Sequence, residues 1–209
     1  MRIGVVGLGI IGSIWAQHWH ADGHTVLTWN RTAKVDAPGW TPDLQELAQH
    51  CDLIAIVVAD PAALRQVLET MVPRLRPGTV IAQHSTVGVN DVQWAAERIA
   101  QAGGLFLDLP FTGSKPAAEA RKNVFFLGSD APLPDSIAAA YAQVGQVVIP
   151  VGTLGQAMAL KLAMNTLIAN VGQATAEALV GSGNAAIKDY NDFIDEAGKA
   201  MAAKQSGAK

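Results

Sequence analysis

Gly7-Leu8-Gly9-Ile10-Ile11-Gly12 sets three glycines, directly after the apolar run Arg2 to Val6, at a spacing that can do chemistry on a phosphate. A loop of this kind, leading from a strand into an amphipathic helix, is an anion site. Gly7 permits the tight turn, Gly9 lets the backbone approach a pyrophosphate and Gly12 allows close helix–strand packing, while the helix start supplies N–H donors and a positive partial charge. At the end of the second β-rich run stands Asn30-Arg31-Thr32, with no carboxylate. A carboxylate there would accept the ribose 2′-hydroxyl of NAD. An amide, a guanidinium fork and a hydroxyl suit a 2′-phosphate, so the pattern favours NADP over NAD.

A second chemical signal is an isolated charge. Between Asp135 and Glu177 the only formally charged residue is Lys161. It lies in the first turns of a helix that is apolar nearly all round, where burial disfavours the ammonium and lowers its pKa toward the range useful for proton transfer. Asn165 is four residues on and shares its helix face. Hydride transfer between a nicotinamide and a carbonyl carbon leaves charge on oxygen, which a lysine can neutralise while an asparagine amide holds the substrate.

Other reactive types carry less. His18, His20, His24, His50 and His84 show no metal-ligand spacing, and no metal site is expected. His84 differs from the rest in standing at a strand end, where open α/β sheets bind ligands, although a structural role is the simpler reading. Cys51 reads as a buried thiol at the head of a strand, the five tryptophans as core, and Asp108 as a turn former or a cap on the loop that follows.

The elements that must position these groups follow from periodicity. Strands are expected near Arg2 to Val6, Thr25 to Trp29, Leu53 to Val58, Thr79 to Gln83, Leu105 to Asp108, Val124 to Leu127 and Gln146 to Ile149, with helices between them. Asp60-Pro61 and Ser85-Thr86 look like helix starts. The alternation predicts a Rossmann-type, doubly wound, mostly parallel α/β sheet over residues 1–153. Residues 154–209 then hold one long helix, Gln156 to Val180, stopped by Gly181 and Gly183, and a short helical appendage around Tyr190 to Ala200. So apolar a helix must be covered by the sheet domain, a further domain or a second subunit.

Half the residues are hydrophobic and the formal charge is −3, with acidic and basic groups interspersed. No stripe tracks a nucleic acid or an anionic membrane, and small-molecule partners are expected. Glycines interrupt the apolar N-terminus, which argues against a signal peptide and for cytoplasmic residence.

With these residues in view, the sequence resembles the β-hydroxyacid dehydrogenase family, which contains 3-hydroxyisobutyrate and 6-phosphogluconate dehydrogenases, over roughly residues 1 to 180. Ile3 to Gly12 looks like its cofactor loop, and Asn30-Arg31-Thr32 is similar to the version associated with NADP. His84-Ser85-Thr86-Val87 looks like its Ser-Thr segment beside the nicotinamide. Asp108 to Ala118 resembles its substrate loop, with Thr112, Gly113 and Ser114 at the anchoring positions. Gly155 to Asn170 is similar to the helix carrying a catalytic lysine and a substrate-binding asparagine, here Lys161 and Asn165.

The resemblance implies cofactor contacts at Gly7 to Gly12, Asn30 to Thr32, Val58, Ala59, Asp60, Ser85 and Thr86. It implies substrate contacts at Ser85, Thr112 to Ser114, Lys161 and Asn165. Two departures stand out. Arg121-Lys122-Asn123 replaces a common Gly-x-Leu, so the turn there is expected to differ. About thirty residues follow Gly181, where family members have a large helical domain. Most of that domain is expected to be deleted, with Gly181-Ser182-Gly183 at the junction. The expected function is an NADP-dependent oxidoreductase acting on a small hydroxy acid, aldehyde or imine and dimerising through the long helix. The alternative is a non-catalytic NADP-binding protein with an incomplete substrate domain.

Overall fold

The computed structural model describes residues 1–181. Five strands run parallel, β1 (Arg2–Val6), β2 (Thr25–Trp29), β3 (Leu53–Ile56), β4 (Val80–Gln83) and β5 (Leu105–Asp108), in the order β2-β1-β3-β4-β5. Helices α1 (Ile10–Ala21), α2 (Leu44–His50), α3 (Pro61–Met71) and α4 (Val89–Gln101) make the crossovers. All four residues of β3 and of β4 are buried because helices cover both faces of the sheet. Successive residues serve opposite cores. Ile54, Ile56, Ile81 and Phe106 pack with α2 to α4, whereas Leu53, Ala55, Val80 and Leu107 pack with Trp15 and Trp19 of α1.

Beyond β5 the direction changes. The chain makes a two-residue strand, β6 (Phe111–Thr112), and a single short helix, α5 (Lys115–Glu119), and returns as β7 (Asn123–Gly128), antiparallel to both β5 and β6. The five residues of α5 are too few for a helical crossover, so the strand comes back on itself. Helix α6 (Asp135–Ala142) does provide one, and β8 (Gly145–Gly152) pairs parallel with β7. The mostly parallel sheet is therefore as expected, and β6 is the strand that the sequence reading missed.

Local signals mark the helix ends. Asp60 caps α3, its Oδ1 accepting Ala63 N–H at 2.7 Å with Pro61 behind it. The expectation of a helix start at Ser85-Thr86 is corrected: α4 begins at Val89, where the Asp91 carboxylate accepts Gly88 N–H at 3.2 Å. Ser85 is instead tied to the neighbouring strand end, its Oγ accepting Val58 N–H.

Met1–Leu162 forms one compact unit, and α7 (Gln156–Gly181) runs from it into a second that starts at Ala163. The start of the long helix thus belongs with the sheet, whereas the sequence reading placed the domain boundary at residue 153. Ala157 and Met158 are fully buried, but Leu167, Ile168 and Val171 are 55–63% exposed. Within the first unit, full burial of this apolar helix is confined to Ala157 and Met158. The expected appendage and the Gly181-Ser182-Gly183 junction extend outside the described residues.

Candidate dinucleotide and substrate site

Each glycine of the loop between β1 and α1 has its own reason. Gly7 adopts φ +96°, and a Cβ there would sit 2.1 Å from Val57 O. A Cβ on Gly12 would sit 2.0 Å from Gly7 O, so helix and loop meet without room for a methyl group. Above Gly9 nothing lies within 4 Å. That open space fronts the start of α1, which has no side-chain cap and no acidic residue in its first turn. The amides of this turn are therefore available to a bound anion. Ile10, on the same turn, is 65% exposed.

The loop is braced from the end of β2. Asn30 Oδ1 accepts Leu8 N–H at 2.9 Å and its Nδ2 donates to Thr32 O at 2.8 Å, while Ser13 Oγ and Lys34 Nζ both donate to Leu8 O. Asn30 thus ties two loops together, a bracing role that the sequence reading did not include. Arg31 and Thr32 are exposed beside it, and Arg31 has no ion-pair partner among the described residues. A cavity of about 310 Å³ runs from Gly7 and Gly9 past Val58 and Ala59 to Trp29, Asn30, Arg31 and Thr32. Its size and its mixture of apolar walls with a few polar groups are those of a small-molecule site. Trp29, expected in the core, packs against it and also lines this cavity.

The ends of β3 and β4 are joined through Ser85. Its Oγ accepts Val58 N–H at 2.8 Å and its carbonyl accepts Gln83 Nε2 at 2.9 Å. Ser85 is 4% exposed and Thr86 is open to solvent. His84 is structural. Its Nδ1–H donates to Leu109 O at 2.6 Å, since a carbonyl only accepts, and its Nε2 accepts Tyr141 O–H at 2.8 Å. Packed edge-on against Trp15 and Phe125, the ring is held neutral by burial, which pushes its pKa down to about 3.

In the expected substrate loop, Thr112 is half-buried, and Gly113 and Ser114 are exposed. Gly113 adopts φ +119°, and a Cβ there would sit 2.5 Å from Asn123 Nδ2. The buried Asn123 accepts Trp15 Nε1–H at 3.1 Å and donates to Thr112 O at 3.4 Å. Sequence reasoning missed this brace. The hydroxyls of Thr112 and Ser114 have no hydrogen-bond partner among the described residues and are free to bind a ligand. Nearby Arg121 sits at φ +58°, a backbone conformation that glycine adopts without strain, so the turn is one that the expected Gly-x-Leu would also fit.

Lys161 lies in the second turn of α7, half-buried, and its pKa is lowered by that burial. It has no carboxylate partner among the described residues. The helix start is fastened to the sheet by Asp108, whose Oδ2 accepts Met158 N–H at 2.9 Å and Gly155 N–H at 3.2 Å. Asn165, one turn past Lys161, is exposed and falls in the second unit.

Residues 2–152 match the family model described as the NAD binding domain of 6-phosphogluconate dehydrogenase. The chain belongs to that family, the β-hydroxyacid dehydrogenases, and carries its dinucleotide-binding domain. It is 30% identical over 169 residues to the mouse cytokine-like nuclear factor N-PAC, covering 78% of this chain and 31% of the relative. It is 29% identical over 189 residues to the chloroplastic glyoxylate/succinic semialdehyde reductase 2 of Arabidopsis thaliana, covering 86% and 53%. The chain thus spans about a third and about half of these relatives. In fold it is similar to a reductive aminase from Aspergillus terreus solved with NADPH and ethyl levulinate, with a TM-score of 0.82 and 18% identity over 98% of this chain and 73% of the other.

Proposed function

We propose that this chain is an NADP-dependent oxidoreductase that interconverts a small hydroxy acid and the matching aldehyde, or reduces an imine. The observation that carries the reading is the continuous cavity from the open Gly9 turn to an Arg31 guanidinium that has no carboxylate partner among the described residues. The uncapped α1 start fits a pyrophosphate and Arg31 with Thr32 fits a 2′-phosphate, both by charge and by donor type. NADP, when bound, supplies or accepts the hydride. The chain's own groups do the rest. Ser85, Thr112 and Ser114 bind and orient the substrate, Lys161 holds or delivers the proton at the substrate oxygen or nitrogen, and Asn165 orients the reacting group from one helical turn away.

The reductase named among the relatives and the NADPH-bound aminase of like fold support this reading. Titration with NADPH and NADH, on wild type and on Arg31→Ala, tests the cofactor assignment. Wild type prefers NADPH and the variant binds both alike; equal affinity already in wild type overturns it. Turnover of NADPH with small aldehydes and cyclic imines tests the chemistry, and Lys161→Ala lowers kcat by about 100- to 10,000-fold with cofactor binding retained.

The exposure of Asn165 and of the apolar residues beyond it favours a second reading, a protein that binds NADP without turnover because water reaches the site. Tight NADPH binding with no turnover on any substrate of the panel selects that reading. The same exposure supports pairing of two chains through α7, which would cover Leu167, Ile168 and Val171 and let each chain complete the other's cleft.

A further inference from the structure

We infer that Asp108 is a positioning residue for Lys161, fixing the first turn of α7 against the end of β5 so that the sheet sets where the ammonium lies. The inference rests on the proton-transfer role proposed for Lys161. Asp108 is fully buried and stands at the C-terminal end of a central strand. Its Oδ2 takes two amides from the start of α7, Gly155 and Met158. Those donors would otherwise be left unpaired, since a helix's first N–H groups have no partner inside it. Met158 is three residues before Lys161, so the two side chains stand on neighbouring turns of one face. The junction is held at other points: Asp130 accepts Leu154 N–H, Gln156 accepts Thr153 N–H, and a Cβ on Gly155 would lie 2.9 Å from Val89 Cγ1. A helix seated so tightly passes any shift at Asp108 on to Lys161.

The other carboxylate oxygen shows that Asp108 does more than fill a turn. Asp108 Oδ1 and Gln83 Oε1 are both buried and both without a hydrogen-bond partner among the described residues. The two residues are in register on adjacent parallel strands, with side chains on the same face. Both are acceptors on the same face of neighbouring strands, and each lacks a donated hydrogen. A proton on Oδ1, or an amide in place of the carboxylate, would supply it. The remaining titratable groups on the packed elements are Lys161 and the exposed Glu177 on α7, Asp91 and the exposed Glu97 and Arg98 on α4, and His84 after β4. Asp91 is paired with Arg65 at 2.7 Å, and His84 points to the opposite face of the sheet.

The full chain carrying Asp108→Ala and Asp108→Asn tests the inference, with kcat, KM for NADPH and the pH profile of kcat as readouts. Asp108→Ala is expected to lower kcat roughly 100-fold, as small misplacements of a reacting group do, and to move the limb of the pH profile that reports Lys161. KM for NADPH stays within about threefold, because the glycine loop is untouched. Asn accepts both amides through Oδ1 and donates to Gln83 through Nδ2, so Asp108→Asn recovers kcat to within about tenfold of wild type. Wild-type kcat in Asp108→Ala overturns the inference, as does an Asn variant as impaired as the Ala variant. If the Ala variant does not fold, the Asn variant decides: an unmoved Lys161 limb supports positioning and a displaced one overturns it. Lys161→Ala separates the two claims, because undiminished turnover there removes the role of Lys161 whatever Asp108 does.

Discussion

Single atoms decide the glycine loop. A methyl group on Gly7 or Gly12 meets backbone oxygen at about 2 Å, whereas on Gly9 it meets open space. Gly9 has φ −69°, which alanine adopts freely. Gly9→Ala is therefore expected to melt like wild type and to bind NADPH at least about tenfold more weakly, roughly 1.4 kcal/mol. Thermal unfolding and a cofactor titration on the same sample check this, and unchanged affinity would mean that no ligand backbone approaches there. Asp108 makes a pH prediction. Burial raises its carboxyl to about 6 against offsetting bonds from Met158 and Gly155. A carboxyl raised in the folded state favours folding at low pH, and that advantage is lost as pH rises from the unfolded value of 3.8 through about 6. Asp108→Asn does not titrate, so its stability relative to wild type should grow over that window by about 3 kcal/mol at most. Buried His84, lowered to about 3, acts in the opposite sense, and the difference between variant and wild type cancels its contribution.

At the scale of elements, the turn into β7 shows how a departure from a pattern can be accommodated. Arg121 holds a left-handed φ of +58° that costs a non-glycine residue about 1 kcal/mol. Its guanidinium donates to both carboxylate oxygens of Asp22 at the end of α1, Nη2 to Oδ1 at 3.0 Å, and to Gln143 O at 2.6 Å after α6. One side chain thereby joins three elements. Arg121→Gly relieves the backbone and removes the pair, and the two effects should nearly cancel, since exposed ion pairs contribute about 0–1 kcal/mol. Asp22→Ala is then expected to lower stability by about 0.5–1 kcal/mol in the wild-type background and negligibly in the Arg121→Gly background, a coupling that denaturant unfolding of the double-mutant cycle measures. The sequence marked this turn as unusual but could not name the partner. It likewise placed a helix start at Ser85-Thr86, because a hydroxyl after a strand is the same local signal whether it caps a helix or holds Val58 N–H.

At the scale of the molecule, α7 is the feature most in need of a partner. Leu167, Ile168 and Val171 are exposed on a helix that buries Ala157 and Met158 in its first turn. Apolar burial stabilises by about 25 cal/mol per Å², so a second α7 laid along this stretch has a substantial driving force. Sedimentation at micromolar concentration is expected to show a dimer, and Leu167→Glu with Ile168→Glu a monomer that still binds NADPH, since neither residue lies in the dinucleotide cavity. A wild-type monomer rules out this pairing.

The sequence by itself determined the mostly parallel α/β sheet, the glycine loop and the isolation of Lys161. Each is written in spacings of a few residues, where strand alternation, turn geometry and helix periodicity act. Only the tertiary structure decided that Asp108 anchors the start of α7, that His84 is locked to Tyr141, and that Arg121 pairs with Asp22. These bonds join residues 50, 57 and 99 positions apart. A polar side chain keeps the same local neighbours whichever of its possible partners it meets, and chain folding alone brings one of them within hydrogen-bonding reach.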